Sequence, residues 1–220
     1  DLYLSGSPDR SARGDTDCVK AQTGTHCPLF LLEKKKKGKE RMIELEPNLK
    51  IRKNIILIGF MGSGKTSVGE KLARARHYRF LDTDQILEEE FGCSIREYFE
   101  KKGEEEFRRQ ETNLMRWLSL SLRGSVLSTG GGLPLREENR SLLRETGVVI
   151  YLKASEETTI ARLRGDTTRP LLAGEDLSEK VHRLLNERRP IYERAAHYTL
   201  ETDKKSFYEI IKEIQTVVVF

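Results

Sequence analysis

A phosphate-binding pattern lies in the first half of the sequence. Residues 59–66 read GFMGSGKT, which matches G-x-x-x-x-G-K-[ST] in full. The glycines let successive backbone N–H groups point at one centre, while Lys65 can reach the β- and γ-phosphates and the Thr66 hydroxyl can bind Mg²⁺. An apolar run precedes the pattern and helical spacing follows it, which favours a nucleotide site over a chance glycine-rich turn. The predicted nucleotide-binding residues in this segment are Gly62, Ser63, Gly64, Lys65, Thr66 and Ser67.

Two carboxylates follow the next apolar run, where Asp82 and Asp84 flank Thr83. Residues two apart in a strand face the same side, so we expect both carboxylates to face the crevice at the carboxyl ends of the strands, where open α/β sheets bind ligands. One carboxylate could hold Mg²⁺ through water, and the other could accept the proton of an attacking hydroxyl. Helix capping by Asp84 is the structural alternative.

A glycine triplet, Gly130, Gly131 and Gly132, follows a third short apolar run. Three glycines expose backbone N–H groups and remove side-chain bulk, so a ring-shaped substrate could press against the main chain. A flexible turn is the alternative. The predicted position at the carboxyl end of a strand favours binding.

A phosphate loop by itself is shared by GTPases, ATPases and small-molecule kinases. The stretch from GFMGSGKT to FLDTD, however, resembles the start of shikimate kinases, and further motifs of that family follow in order to the C-terminus. The resemblance implies phosphorylation of the 3-hydroxyl of shikimate by ATP, with Mg²⁺ as cofactor. It also implies that Asp82, through water, and Thr66 hold the metal, and that Asp84 contacts the accepting hydroxyl as the candidate base.

The same resemblance assigns substrate-binding residues. In FRRQE, residues 107–111, Arg108 matches the family's carboxylate-binding arginine and Glu111 its partner; in ERRPIY, residues 187–192, Arg188 matches the second such arginine. A planar guanidinium can bond both carboxylate oxygens at once. Taken alone, Arg108 and Glu111 would be an exposed i, i+3 ion pair of little energetic weight. The glycine triplet lies against the substrate in this family.

A lid is implied between residues 162 and 177, where residues 162–172 read RLRGDTTRPLL. Arg169 matches the lid arginine that closes over the phosphates, where it would offset charge on the transferring phosphoryl group. Arg162 aligns with an arginine that packs on adenine, and Lys205 would lie near adenine. We therefore expect Lys65, Asp84 and Arg169 to be the catalytic residues. An arginine-bearing loop can also be plain surface.

The elements that must position these residues alternate from residue 53 onward. Strands are predicted at 53–60, 78–81, 125–128, 148–152 and 198–201. Helices are predicted at 65–76, 85–91, 104–121, 138–145, 155–164, 178–196 and 206–216, with one more opened by a capping box at Ser94 and Glu97. Pro190 could kink or split the helix that contains it. This order predicts a three-layer αβα fold with a five-stranded parallel sheet, like P-loop nucleoside-monophosphate kinases, with substrate-binding helices at about 84–122.

The N-terminal residues 1–50 differ from the rest. They lack periodicity and contain a basic run, KKKKGKER, at residues 34–41. We expect a disordered extension, a tag or an incorrectly assigned start here, and a kinase domain at residues 51–220. The basic run is best interpreted as a solvated tether, with contact to nucleic acid or a membrane surface as the alternative.

Composition excludes several other classes. Hydrophobic residues make up 37% and charged residues 34% of the 220 residues, which is typical of a globular chain. The net charge of +4 is too small to indicate nucleic-acid binding, and no apolar run is long enough to span a membrane. Three cysteines without dense spacing favour a cytoplasmic protein. We expect a monomer that binds shikimate and ATP; a gluconate kinase or a non-catalytic ATP-binding module remains an alternative.

Overall fold

The computed structural model describes residues 53–164 and 176–218. The strands are β1 (Asn54–Ile58), β2 (Arg79–Asp82), β3 (Ser125–Ser128), β4 (Gly147–Lys153) and β5 (Tyr198–Glu201). The helices are α1 (Lys65–Arg76), α2 (Thr83–Phe91), α3 (Ile95–Lys102), α4 (Glu104–Ser121), α5 (Glu137–Thr146), α6 (Glu156–Leu163), α7 (Leu177–Ala195) and α8 (Phe207–Val217). A 3-10 turn, Leu133–Leu135, precedes α5. The expected N-terminal extension, Arg169 and most of the expected lid lie outside the described residues.

The five strands form one parallel sheet in the order β2-β3-β1-β4-β5. The predicted fold class is therefore confirmed. β1 is the central strand, and its residues Ile55–Ile58 are fully buried. Asp82 pairs with Ser128 across β2 and β3, so the carboxyl ends of these neighbouring strands meet. The segments that follow β1, β2 and β3 consequently share one edge of the sheet.

Two apolar cores cover the two faces of the sheet. Ile56 and Ile58 belong to the larger core, under α2–α5 and α7, whereas Ile55 and Leu57 belong to the smaller core, under α1 and α8. The alternation follows from the two-residue period of a strand. A strand buried on both faces must be apolar at every position, which explains the continuous run of isoleucine and leucine.

Pro190 neither splits nor ends its helix, because α7 runs continuously from Leu177 to Ala195 with the proline inside it. Proline lacks the N–H that an interior turn uses, and such a position usually costs about 3 kcal/mol. In the described residues, no helix is long and apolar enough to cross a bilayer.

Candidate active site

The phosphate loop leaves β1 and enters α1. Gly64 adopts a left-handed backbone conformation with φ of 91°, and it forms the N-cap of α1; a residue with a Cβ would be strained there. The first-turn N–H groups and the dipole of α1 therefore point into the loop, as anion binding requires. Lys65 is buried, and its Nζ donates to the carbonyl oxygens of Gly59 (3.0 Å) and Phe60 (2.9 Å).

Asp82 connects this loop to the neighbouring strand. Its Oδ2 accepts a hydrogen bond from Thr66 Oγ1 at 2.9 Å, and its Oδ1 accepts one from the backbone N–H of Asp84 at 3.0 Å. The hydroxyl and the carboxylate expected to hold Mg²⁺ are thus in direct contact. Among the described residues, no group of three or more His, Cys, Asp or Glu side chains could hold a metal ion.

The expected strand alternation does not account for the paired carboxylates. Asp82 is the last residue of β2, but Asp84 already lies in the first turn of α2, which begins at Thr83 rather than at Gln85. The helix cap is Asp82 rather than Asp84. Both carboxylates nevertheless line the same cavity. The turn from strand to helix, rather than the alternation of side chains along a strand, brings them together.

The glycine triplet provides space for two functional side chains. A Cβ on Gly130 would clash with Asp84 Oδ1, and a Cβ on Gly132 would clash with the guanidinium of Arg108. Gly130 also donates its N–H to Thr83 Oγ1 at 2.8 Å. The triplet therefore allows Asp84 and Arg108 to approach the main chain, a reason for the glycines that adds to the predicted contact with a substrate ring.

Arg108 is buried, so the alternative interpretation of Arg108 and Glu111 as an exposed ion pair is wrong. It is 8% exposed, Glu111 is fully buried, and Arg108 Nη1 donates to Glu111 Oε2 at 2.7 Å. The guanidinium also lies over the rings of Phe99 and Phe107, at 5.8 and 5.4 Å. Burial at these short distances makes Arg108 a positioned cation at the cavity wall.

Glu111 occupies an environment that opposes its charge. The pKa of its carboxyl is raised to about 7 because burial, the largest cause, outweighs the lowering by Arg108, and the negative charge of Asp84 adds to the rise. Among the described residues, its Oε1 has no hydrogen-bond partner. A carboxyl group in this position can hold or release a proton near neutral pH.

Arg188 approaches the cavity from α7. It is 6% exposed, and its buried Nη1 has no hydrogen-bond partner within residues 53–164 and 176–218. A buried cation with an unsatisfied donor requires an anion or another acceptor. One turn further along α7, Tyr192 is fully buried and its hydroxyl donates to the Gly131 carbonyl at 2.6 Å, which ties α7 to the glycine triplet.

A single cavity of about 640 Å³ joins these groups. Thr66, Asp82 and Asp84 lie on its wall together with Arg108 and Arg188. The cavity is therefore bordered by both the phosphate loop and the two predicted acid-binding arginines, with a carboxylate on the same wall. Its lining residues that carry predicted roles are Thr66, Asp82, Asp84, Arg108, Glu111, Gly130, Gly131, Gly132 and Arg188.

The predicted nucleotide contacts outside the loop have different surroundings. Arg162 Nη1 donates to the Gly62 carbonyl at 3.0 Å, so this side chain lies beside the phosphate loop. Lys205 Nζ instead pairs with Glu213 at 2.8 Å, and its role near adenine stays a prediction. Ser63 is buried whereas Ser67 is exposed on α1. Arg169 is outside the described residues.

Several contributors carry no sequence motif of their own. They are Thr83, which accepts a hydrogen bond from Gly130, Tyr192, which donates one to Gly131, and Glu104. Glu104 Oε1 accepts hydrogen bonds from Arg108 Nε at 3.2 Å and Nη2 at 2.9 Å. The spacing of four residues between Glu104 and Arg108 on α4 is the signal that could have identified this pair.

Comparisons with known proteins agree on one family. A family model described as shikimate kinase matches residues 61–219. The shikimate kinase of Caldanaerobacter subterraneus subsp. tengcongensis is 44% identical over 162 residues, which span 74% of this chain and 94% of that protein.

Solved structures give the same result. A structure of shikimate kinase from Acinetobacter baumannii in complex with shikimate has a TM-score of 0.73 and 39% identity, over 76% of this chain and 92% of that one. Shikimate kinase from Aquifex aeolicus has a TM-score of 0.65 and 36% identity, over 74% and 94% of the two chains. The sequence match and the shared architecture together show that the chain belongs to the shikimate kinase family.

Proposed function

We propose that this protein transfers the γ-phosphoryl group of ATP to the 3-hydroxyl of shikimate, which yields shikimate 3-phosphate and ADP. The observation that carries the proposal is the shared cavity, in which Thr66 and Asp82 lie on the same wall as Arg108 and Arg188. Family membership supports the choice of substrate.

Arg108 and Arg188 bind the carboxylate of shikimate. Arg188 has a buried donor that needs an acceptor, and Arg108 presents a planar guanidinium at the same cavity. The carboxylate lies at one end of shikimate, so binding it between α4 and α7 orients the ring. The 3-hydroxyl can then face Asp84, and this loss of rotational freedom lowers the barrier to transfer.

Phosphate binding depends on the loop. The N–H groups at the start of α1, together with Lys65, bind the phosphates of ATP. Arg162, whose Nη1 donates to the Gly62 carbonyl beside the loop, packs on the adenine ring. Thr66 and Asp82 would hold Mg²⁺, Asp82 through water; when bound, the ion neutralises charge on the phosphate oxygens. Arg169 of the lid is proposed to close over the phosphates.

In the chemical step, the 3-oxygen of shikimate forms a bond to the γ-phosphorus while the bond from that phosphorus to the β–γ bridging oxygen breaks. Asp84 orients the hydroxyl and accepts its proton, and ADP leaves with the bond electrons. There is little covalent work for the protein to do, so positioning and charge stabilisation supply most of the rate.

The activity is tested by measuring ADP release from ATP with shikimate or gluconate as acceptor. We expect turnover with shikimate and none with gluconate above the rate without acceptor. Turnover with gluconate alone would assign a different small-molecule kinase. ATP binding without any phosphorylated acid would assign a binding module.

The acid clamp is tested by Arg108→Ala, with Arg109→Ala as the matched control on the same helix, since the Arg109 side chain is exposed and pairs with Glu106 rather than with a residue of the cavity wall. Truncating a buried charge partner costs about 2–5 kcal/mol, so the KM for shikimate should rise at least about 30-fold while the KM for ATP changes little. Circular dichroism and Arg108→Lys separate loss of the clamp from loss of the fold. Equal increases in both KM values would contradict the assignment.

A further inference from the structure

The guanidinium of Arg108 is bonded on two sides before any substrate is present. Nη1 donates to Glu111 Oε2 at 2.7 Å, while Nε and Nη2 both donate to Glu104 Oε1, at 3.2 and 2.9 Å. Nε and Nη2 form one of the edges of a guanidinium to which a carboxylate can bind. Glu104 therefore occupies with its own carboxylate an edge that an acid substrate could use.

The two carboxylates on Arg108 differ in their surroundings. The side chain of Glu111 is 1% exposed, whereas that of Glu104 is 50% exposed in the first turn of α4. Removing Glu111 would leave a buried cation short of a partner, but Glu104 can turn into solvent at little cost. Glu104 is thus the displaceable partner.

Stabilisation of α4 does not explain the position of Glu104. Glu104, Glu105 and Glu106 all lie in the first turn of α4, where any carboxylate is favoured by the helix dipole. Glu105 pairs with Arg136, and Glu106 pairs with Arg109 at 2.7 Å. Of these three glutamates, only Glu104 bonds to Arg108 in the described contacts, and Arg108 lines the cavity.

Arg188 provides the contrast within the same cavity. In the part of the chain that the structure describes, its buried Nη1 has no hydrogen-bond partner, so this arginine can accept an anion, whereas Arg108 already pairs with two carboxylates. An arriving carboxylate gains less from Arg108 while Glu104 remains in place, because the charge on Arg108 is already compensated.

We propose that Glu104 is an internal counter-ion that competes with the carboxylate of the substrate for Arg108 and thereby lowers the affinity of the site for acids. The inference rests on the proposed function, since it needs Arg108 to bind the substrate carboxylate. Glu104 keeps the guanidinium oriented in the empty site, and it yields to a ligand that also engages Arg188. A carboxylate that reaches Arg108 alone is thus disfavoured.

The test compares Glu104→Gln with Glu106→Gln in the 220-residue chain. Both changes remove one charge from the same helical turn, so effects on the helix dipole cancel between them. We expect Glu104→Gln to lower the KM for shikimate, and the Kd from isothermal titration calorimetry, by about twofold to fivefold, the factor that a half-exposed ion pair supplies. The KM for ATP should not change, and Glu106→Gln should change neither value.

A second ligand isolates the charge effect. The methyl ester of shikimate lacks the negative charge, so its Kd should be the same for wild type and Glu104→Gln. An unchanged or raised Kd for shikimate in Glu104→Gln would overturn the inference and make Glu104 a positioning residue. Equal tightening of both ligands would overturn it as well. Failure of the proposed function is distinct, because the wild-type protein itself would then show no turnover of shikimate.

Discussion

Charged side chains are buried around the cavity. Lys65, Arg108, Glu111 and Arg188 are each at most 9% exposed. Burying a charge costs several kcal/mol unless partners replace the lost water, and a concentration of such groups in a cleft is typical of functional sites. The stability of the empty site should therefore depend on protonation, and Glu111 offers the clearest measurement.

Glu111 should make stability depend on pH between about 5 and 8. Its pKa is raised from an ordinary value of 4.5 to about 7, so the folded state binds this proton more tightly than the unfolded chain does. The associated stabilisation is complete below the unfolded pKa and is lost as the pH rises through the folded pKa. Urea unfolding should show the free energy of unfolding falling with pH, by up to about 3 kcal/mol from this group.

The reference variants for that experiment are Glu111→Gln and Glu106→Gln. Glutamine at 111 cannot ionise, so the free energy of unfolding of wild type relative to this variant should fall from pH 5 to pH 8. The hydrogen bond from Arg109 lowers the pKa of Glu106, so the contribution of Glu106 to stability changes only at pH values below the ordinary carboxyl pKa. Glu106→Gln should therefore show the same dependence of the free energy of unfolding on pH as wild type. A pH-independent difference between wild type and Glu111→Gln would refute the argument.

Strands and helices are held in place by polar contacts as well as by apolar cores. Asn54, the first residue of β1, is buried, and its Nδ2 donates to the carbonyls of Leu122 and Thr146 at 2.9 and 2.8 Å. Its Oδ1 accepts the N–H of Ser125 at 3.2 Å. One side chain thus satisfies backbone groups at the ends of α4 and α5 and at the start of β3, on the side of the sheet opposite the site.

Asn54→Ala should destabilise the whole sheet. The substitution leaves three buried backbone groups without these partners, and each unsatisfied group costs about 1–3 kcal/mol when water cannot replace the bond. Partial entry of water would limit the total, so we expect the free energy of unfolding to fall by about 2–4 kcal/mol in urea titrations. Asn113→Ala, at an exposed position on α4, is the control and should change stability by less than about 0.5 kcal/mol. Equal effects of the two substitutions would contradict the bracing role of Asn54.

On the scale of the whole molecule, the fold and the proposed site lie within the part of the chain from β1 onward. The family model matches residues 61–219, and the relative from Caldanaerobacter covers 74% of this chain. We therefore propose that residues 51–220 form the catalytic domain and that residues 1–50 are not needed for catalysis.

Deletion of residues 1–41 should leave kcat and both KM values within about twofold of wild type, since an energy change within about 0.4 kcal/mol is expected for distant sequence. ADP release with shikimate and thermal unfolding would measure the effect. A deletion through residue 58 serves as the control, because it removes the central strand β1 and should abolish folding. Loss of activity in the shorter deletion would show that residues 1–41, which include the basic run, take part in function.

The features that could be predicted from the sequence are those that depend on residues close together in the chain. The alternation of apolar strands with amphipathic helices predicted five parallel strands, and the structure confirms them. The phosphate loop followed from eight consecutive residues, because its glycines, Lys65 and Thr66 act through the adjacent strand and helix. The capping box at Ser94 and Glu97 was predicted and is present for the same reason.

The groups that meet in the cavity, and their burial and protonation, depend on contacts that form only in the folded chain. Tyr192 bonds to Gly131 across 61 residues and Gly130 to Thr83 across 47, distances in sequence at which spacing carries no information. Neighbouring elements bury Glu111 and thereby raise its pKa. They also bury the unsatisfied donor of Arg188. The free energy of a charge depends on its surroundings, and those surroundings are assembled from segments that only folding brings together.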